Sequence, residues 1–173
     1  MKFGLHHPNF NFDYRNDDSS QIIDCLTNLV TRAETLGFDS FWVMDHFHQT
    51  PLRVTSRIKL GTLITGIIYR HPSVLAKIAA TLDVLSKGRL FMGIGAAWDK
   101  PESIAYGITF PAIKERLLRL EETIQIIRKM WTEEPSTSFV GKYYQIQNAY
   151  CNPKPVQKPS PSIMIGGSGE QTL

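Results

Sequence analysis

Apolar and polar positions change their spacing several times along the chain, and each change marks an element. Residues 2–7 (KFGLHH) read as a short strand, and the polar stretch from Pro8 to Ser20 as a loop. From about 20 to 36, Ile22, Leu26, Leu29, Ala33 and Leu36 recur at four- and three-residue steps, which is one face of a helix. Ser19 or Ser20 can cap its start and Gly37 stops it. Residues 40–46 (SFWVMDH) are apolar until the end, the pattern of a strand covered on both faces. Residues 58–65 (IKLGTLIT) and 89–95 (RLFMGIG) predict two more strands. Between them a helix spans about 72–86, with Pro72 inside its start and Gly88 past its end. The longest helix is expected over about 111–132, where Ile113, Leu117, Leu120, Ile124, Ile127 and Trp131 form a stripe. Glu115 and Arg119 make a favourable i,i+4 pair on its flank. Residues 137–147 read as a hairpin turning at Gly141-Lys142. A connector with Pro153, Pro155, Pro159 and Pro161 leads to a last strand, Ser162 to Ile165.

Strands alternating with helices imply a parallel α/β sheet with right-handed crossovers. One connection is short. Only residues 47–57 join the second strand to the third, near the lower limit of about 10–12 residues for a parallel crossover. A full covering helix does not fit there, so the sheet face beside these two strands is expected to be poorly covered.

Composition agrees with a folded chain: 42% of the 173 residues are hydrophobic and 20% charged. We read residues 1–173 as a single domain. A closed (β/α)8 barrel needs at least about 200 residues, so a complete one is excluded. No run approaches ~18 apolar residues and the first residues lack a signal-peptide core, so no membrane partner and a cytoplasmic location are expected. The net charge of +3 is a weak signal for nucleic acid, and none is expected as a partner. Residues 1–52 carry seven acids against three bases, which leaves the remainder basic without forming a patch. Cys25 and Cys151 match no metal or redox spacing, and no metal site is expected.

In parallel sheets, ligands bind beyond the carboxyl ends of the strands. Here those ends carry His6-His7, Asp45-His46 with His48 behind, Thr65-Gly66, Gly95 to Asp99, and Gly166-Gly167-Ser168-Gly169. Polar and glycine residues thus gather at one end of every strand, as a shared pocket requires. Gly93-Ile94-Gly95 begins a dinucleotide fingerprint, but its third glycine position is Trp98, so that reading fails.

Four blocks in order, LGFDSFWVMDHF, GTLITGIIYRHPSVLAKIAATLDVLSKGRL, GIGAAWDKPESIAYGITFP and NPKPVQKPSPSIMIGGSGE, resemble the luciferase-like monooxygenase family, its F420-dependent branch above all. The resemblance implies a TIM barrel that binds coenzyme F420, or alternatively FMN, at its C-terminal mouth. Carried over by position, Asp45 and His46 line the ring, with His46 the catalytic group for proton or hydrogen-bond work and Asp45 orienting it. An imidazole with a pKa near 6.5 can serve in either role. Leu63, Ile64 and Thr65 match the family's strand-three bulge, where a non-proline cis peptide supports the ring from behind; Leu63-Ile64 is the candidate bond. Gly166, Gly167 and Ser168 offer backbone N–H groups to the cofactor, the arrangement that suits an oxyanion or a ring carbonyl. His7 and Trp98 are expected at the substrate pocket. In related deazaflavin dehydrogenases an acidic proton donor sits close to Trp98; the position here is aromatic, so that acid is not carried over, and the neighbouring Asp99 has no assigned direction.

The resemblance also sets the expected extent of the fold: a TIM-barrel-like α/β chain with about five parallel strands plus a small hairpin, hence an incomplete barrel. The helix between strands two and three looks deleted. An open sheet exposes edges and an apolar face, so a homo-oligomer is expected. The function implied is a flavin- or deazaflavin-dependent oxidoreductase, carrying out hydride transfer or monooxygenation on a small organic substrate. A non-catalytic remnant that binds flavin weakly or serves as an interaction module is the alternative.

Overall fold

The structure, a computed structural model, describes residues 2–7, 19–43 and 55–167. Asp45, His46, His48, Ser168 and Gly169 lie outside the described residues, as does the side chain of His7. Five strand positions run parallel in one sheet. β1 (Gly4–His7) pairs with β2 (Ser40–Val43), and β2 pairs with β3 (Lys59–Thr62). β4 (Thr65–Gly66) resumes the line of β3, and both lie on one side of β5 (Leu90–Gly95). β8 (Ser162–Ile165) pairs with β5 on the other side. The single strand expected over 58–65 is therefore two, separated by Leu63 and Ile64. β6 (Thr137–Val140) and β7 (Gln145–Ala149) form the separate antiparallel hairpin.

Four helices accompany the described strands: α1 (Ser19–Thr35), α2 (Pro72–Leu85), α3 (Lys100–Ala105) and α4 (Ile113–Thr132). Strand alternation sorts the sheet into two faces. Leu60, Leu90, Met92 and Ile94 point to the helices, while Trp42, Gly61, Phe91 and Gly93 point away from them. On the helix face, α2 and α4 bury Ala76, Ala79, Ala80, Leu120, Ile127, Met130 and Trp131 with β5. The Trp131 indole N–H, which would be orphaned there, donates to the Ala76 carbonyl at 3.0 Å.

The face beside β2 and β3 is covered, contrary to expectation. Phe41, Ile58 and Leu60 are all buried against Val30 and Ala33 of α1. Among the described residues α1 supplies this cover, while residues 44–54 of the link lie outside them. The stripes of both long helices also sit differently from their apolar residues. On α1, Leu36 is 67% exposed because the helix has ended at Thr35, and Val30 takes the core position. On α4, Ile113 is 53% exposed, whereas Arg116 and Thr123 are buried. Arg116 is tolerated inside because Nε donates to the Ala96 carbonyl (3.0 Å) and Nη1 to the Pro111 carbonyl (2.5 Å), with the guanidinium 4.0 Å over the Phe110 ring. The Glu115–Arg119 pair forms as expected, at 2.7 Å.

Three carboxylates fix three loops from a distance. Glu122 on α4 accepts the backbone N–H groups of Lys142, Tyr143 and Tyr144 at 2.8–3.3 Å, holding the hairpin turn. Asp83 on α2 accepts Val156 N–H (2.8 Å), Gln157 N–H (3.0 Å) and Gln157 Nε2 (2.6 Å), tying the proline-rich connector to the sheet's N-terminal end. Glu34 on α1 accepts Ser56, Arg57 and Ile58 N–H groups at 2.5–3.0 Å, aiming the chain into β3.

Glu34 has a pH consequence. Burial pushes its carboxyl up, but the three N–H bonds and the Arg57 charge outweigh burial and hold it below the ordinary range. A lowered folded value contributes stability that is full above the ordinary glutamate value of 4.5 and is lost as pH falls through the folded value. Glu34→Gln should therefore be less stable than the parent at pH 7, and the gap should close as urea denaturation is repeated towards pH 3. A gap that is constant with pH would show that the carboxylate charge plays no part.

Candidate functional site

The C-terminal ends of the five strand positions converge on one edge of the sheet, and its centre is the step between β3 and β4. The Leu63–Ile64 peptide is cis there, at the bond singled out by sequence. Thr62 Oγ1 lies 2.8 Å from Thr65 Oγ1 and donates to the Gly93 carbonyl at 3.0 Å, so both flanks of the step are fastened to β5. Thr65 is buried in this fastening. Its hydroxyl holds the step in place, and its side chain takes the helix side of the sheet with its partner Ile94.

The Ile64 side chain turns onto the face opposite the helices, where it meets glycines. A Cβ placed on Gly95 would lie 2.4 Å from Ile64 Cδ1, and one on Gly166 2.5 Å from the same atom. On Gly93 it would lie 3.0 Å from Ile64 Cγ2. One aliphatic side chain thus rests on the backbones of β5 and of the residue after β8. The same device recurs deeper on this face, where the Trp42 ring lies over Gly61 and beside Gly4, with Phe91 at 5.6 Å.

Gly166 enters this arrangement differently from its sequence reading. Its N–H donates to the Ile94 carbonyl at 2.9 Å, so that donor belongs to the β-ladder and is not presented to an oxyanion. Gly166 meets the site through its missing side chain. Gly167 follows it at the same edge, and Ser168 lies outside the described residues.

On the other flank, the Tyr69 ring lies across Gly66 and reaches Glu102 of α3, with Oη donating to Oε2 at 3.2 Å. Burial, together with the Glu102 and Asp99 charges, pushes the Tyr69 phenol up to about 12. Tyr69 therefore stays protonated throughout the neutral range and acts there as a hydrogen-bonding group. Asp99 now has a direction: its carboxylate caps α3, accepting Glu102 N–H at 2.9 Å, which removes it from the set of proton donors aimed at the mouth. Trp98 stands 78% exposed at the start of this loop, so it does not pack in the core. The preceding Ala97 has φ of 66°, a left-handed turn that swings the chain out of β5.

Sequence reading missed α3, Tyr69 and Glu102. The signal was present in Asp99-Lys100-Pro101-Glu102, which is a helix start with an N-cap, a proline in the first turn and an acid at the third position. Among the described residues no group of three or more His, Cys, Asp or Glu can hold a metal ion. No described helix is long and apolar enough to cross a membrane.

The Leu63–Ile64 step presents an apolar wall at the strand ends, with Ile64 seated on Gly95 and Gly166, and such a wall fits one face of a flat aromatic ring.

Comparison with known proteins places this geometry. A family model described as luciferase-like monooxygenase matches residues 1–173. The F420-dependent glucose-6-phosphate dehydrogenase of Kineococcus radiotolerans is 35% identical over 161 residues, covering 83% of this chain and 47% of that protein. Its counterpart in Amycolatopsis mediterranei is 34% identical over 159 residues, covering 82% and 47% respectively. Among solved structures, the coenzyme F420-dependent tetrahydromethanopterin reductase of Methanopyrus kandleri superposes with a TM-score of 0.79 at 26% identity, over 99% of this chain and 51% of that one. The monooxygenase RslO1 of Streptomyces bottropensis gives 0.80 at 26% identity, over 95% and 53%. The chain spans about half the length of the curated relatives it matches. Its parallel sheet, helix-covered on one face, is a partial barrel, and the chain belongs to the luciferase-like monooxygenase family.

Proposed function

We propose that this chain carries the ring-binding part of a coenzyme F420-dependent oxidoreductase that moves a hydride to or from a small organic substrate. The observation that carries this reading is the Leu63–Ile64 wall at the strand ends, fastened to β5 through Thr62 and seated on Gly93, Gly95 and Gly166. Curated relatives named as F420-dependent dehydrogenases support F420 over FMN. When bound, the deazaflavin supplies the hydride chemistry.

The protein's own residues orient and enclose. Leu63 and Ile64 back the ring and exclude water from that side. The residues after β8, Gly166 to Ser168, border it on one flank. His46, with Asp45 orienting it, holds or moves the proton that accompanies hydride transfer. His7, Trp98 and the Tyr69 hydroxyl line the substrate side.

Titration of the purified chain with F420 and with FMN, followed by fluorescence and absorbance, tests this. Binding of F420 on the order of micromolar, weakened at least about tenfold by His46→Ala, is the expected result. Preference for FMN would move the reading to monooxygenation. Binding of neither cofactor would overturn it in favour of a non-catalytic role.

A further inference from the structure

We propose that Gly95 and Gly166 are positioning residues for the ring: carrying no side chain, they let Ile64 lie flat on the sheet, and this sets how far the Leu63–Ile64 edge stands into the mouth. The inference rests on the cofactor reading above and adds residues whose part is indirect.

Neither glycine is needed for its backbone shape. The glycines with positive φ among the described residues are Gly37, Gly88 and Gly107, whereas Gly95 and Gly166 have conformations open to any residue. Nor are they needed for hydrogen bonding. The Gly95 carbonyl accepts Ile67 N–H at 3.0 Å and Gly166 N–H donates to Ile94 at 2.9 Å, bonds that any residue's backbone would make. What remains is the space above them, which the Ile64 side chain fills over Gly166 and shares over Gly95 with the Gly166 carbonyl oxygen, 2.9 Å from an added Cβ. Ile64 Cδ1 lies 2.4 Å from a Cβ on Gly95 and 2.5 Å from one on Gly166. Rotation about χ2 can carry Cδ1 off a methyl on Gly95, but a methyl on Gly166 also meets Cγ2 at 3.0 Å, and Cγ2 moves only about χ1, which is stiff in a β-branched side chain. A methyl on Gly166 therefore lifts the side chain, and with it the peptide edge that faces the ring.

The test moves one methyl group from the wall to the floor. F420 binding is measured by fluorescence for the parent, Gly166→Ala, Ile64→Val and the double variant. Near-UV circular dichroism and the urea midpoint check the fold. Gly166→Ala should weaken binding about tenfold while remaining folded. Ile64→Val removes Cδ1, the atom nearest the added methyl, and sets its own baseline; against that baseline Gly166→Ala should cost no more than about threefold. Should Gly166→Ala fail to fold, Gly95→Ala carries the test through the same difference between the two backgrounds, in which its contact with the Gly166 carbonyl oxygen cancels. Binding unaffected by the floor alanines, or a loss that Ile64→Val does not relieve, overturns the inference and leaves the cofactor reading standing. A parent chain that binds neither F420 nor FMN overturns both.

Discussion

Gly93→Ala should be strongly destabilising. Its Cβ would lie 2.0 Å from the Thr62 carbonyl oxygen and 3.2 Å from the Thr62 carbonyl carbon, so the obstruction is main chain and not a side chain that can turn aside. Relief requires β3 and β5 to part at their C-terminal ends, which also breaks the Thr62 Oγ1 bond to the Gly93 carbonyl. Overpacking of a rigid interior costs typically 1–3 kcal/mol, and here we expect about 3 kcal/mol or more because backbone meets backbone. Against a total stability on the order of 5–15 kcal/mol, that is a fifth to more than half of the whole, so the urea midpoint should fall by a comparable fraction. Gly37→Ala is the control. Gly37 has φ of +84° and no atom within 4 Å of an added Cβ, so only the left-handed backbone is penalised, by about 1–2 kcal/mol. A Gly93→Ala protein with the parent's urea midpoint would show that the strands are not in van der Waals contact at this point.

Asp83→Ala should be the most damaging single loss of a side chain. The carboxylate is 0% exposed and accepts from Val156 N–H, Gln157 N–H and Gln157 Nε2. Truncation leaves two half-buried backbone donors and the Gln157 amide without their acceptor, at roughly 1–3 kcal/mol each, and a net loss of about 3–4 kcal/mol is expected. For a chain of this size that corresponds to a fall of roughly 6–15 °C in Tm. Asp83→Asn keeps one acceptor oxygen but turns an amide N–H2 towards donors, so it should fall between the parent and alanine. Thermal unfolding followed at 222 nm reads both variants. The idea fails if alanine shifts Tm by less than about 2 °C, which would mean the connector finds other acceptors.

Much of the architecture was legible because it follows from hydrophobic period and from terminators. The five strand positions, the three long helices and the hairpin turning near Gly141-Lys142 all lie where the pattern puts them. The errors on α4 have one physical cause, which is polar residues working inside. Arg116 and Thr123 occupy core positions on α4 that an apolar stripe cannot reveal, because their burial depends on carbonyls of Ala96 and Pro111 and on helix packing. The cover over β2 and β3 was misjudged because it depends on how far one helix reaches, and a linear sequence carries no lateral distance. At the candidate site, the Leu63–Ile64 step was legible only through resemblance, whereas the glycines beneath it are visible only in three dimensions. Tyr69 and Glu102 are 33 residues apart and share no sequence pattern, yet their side chains meet at 3.2 Å.

Arg116 fastens both ends of one surface excursion, through the carbonyls of Ala96 and Pro111. Residues 97–110 therefore leave and rejoin the fold at points held by a single side chain rooted in α4. Such a segment is a cassette. It can be exchanged as a unit while its anchor points keep their spacing, provided that the Glu102 bond to Tyr69 and the buried Ser103 go with it, and the three carboxylate-held loops lie elsewhere. Trp98, Ile104 and Tyr106 are the large apolar residues that it exposes, and a loop graft between family members would have its seams at Ala96 and Pro111.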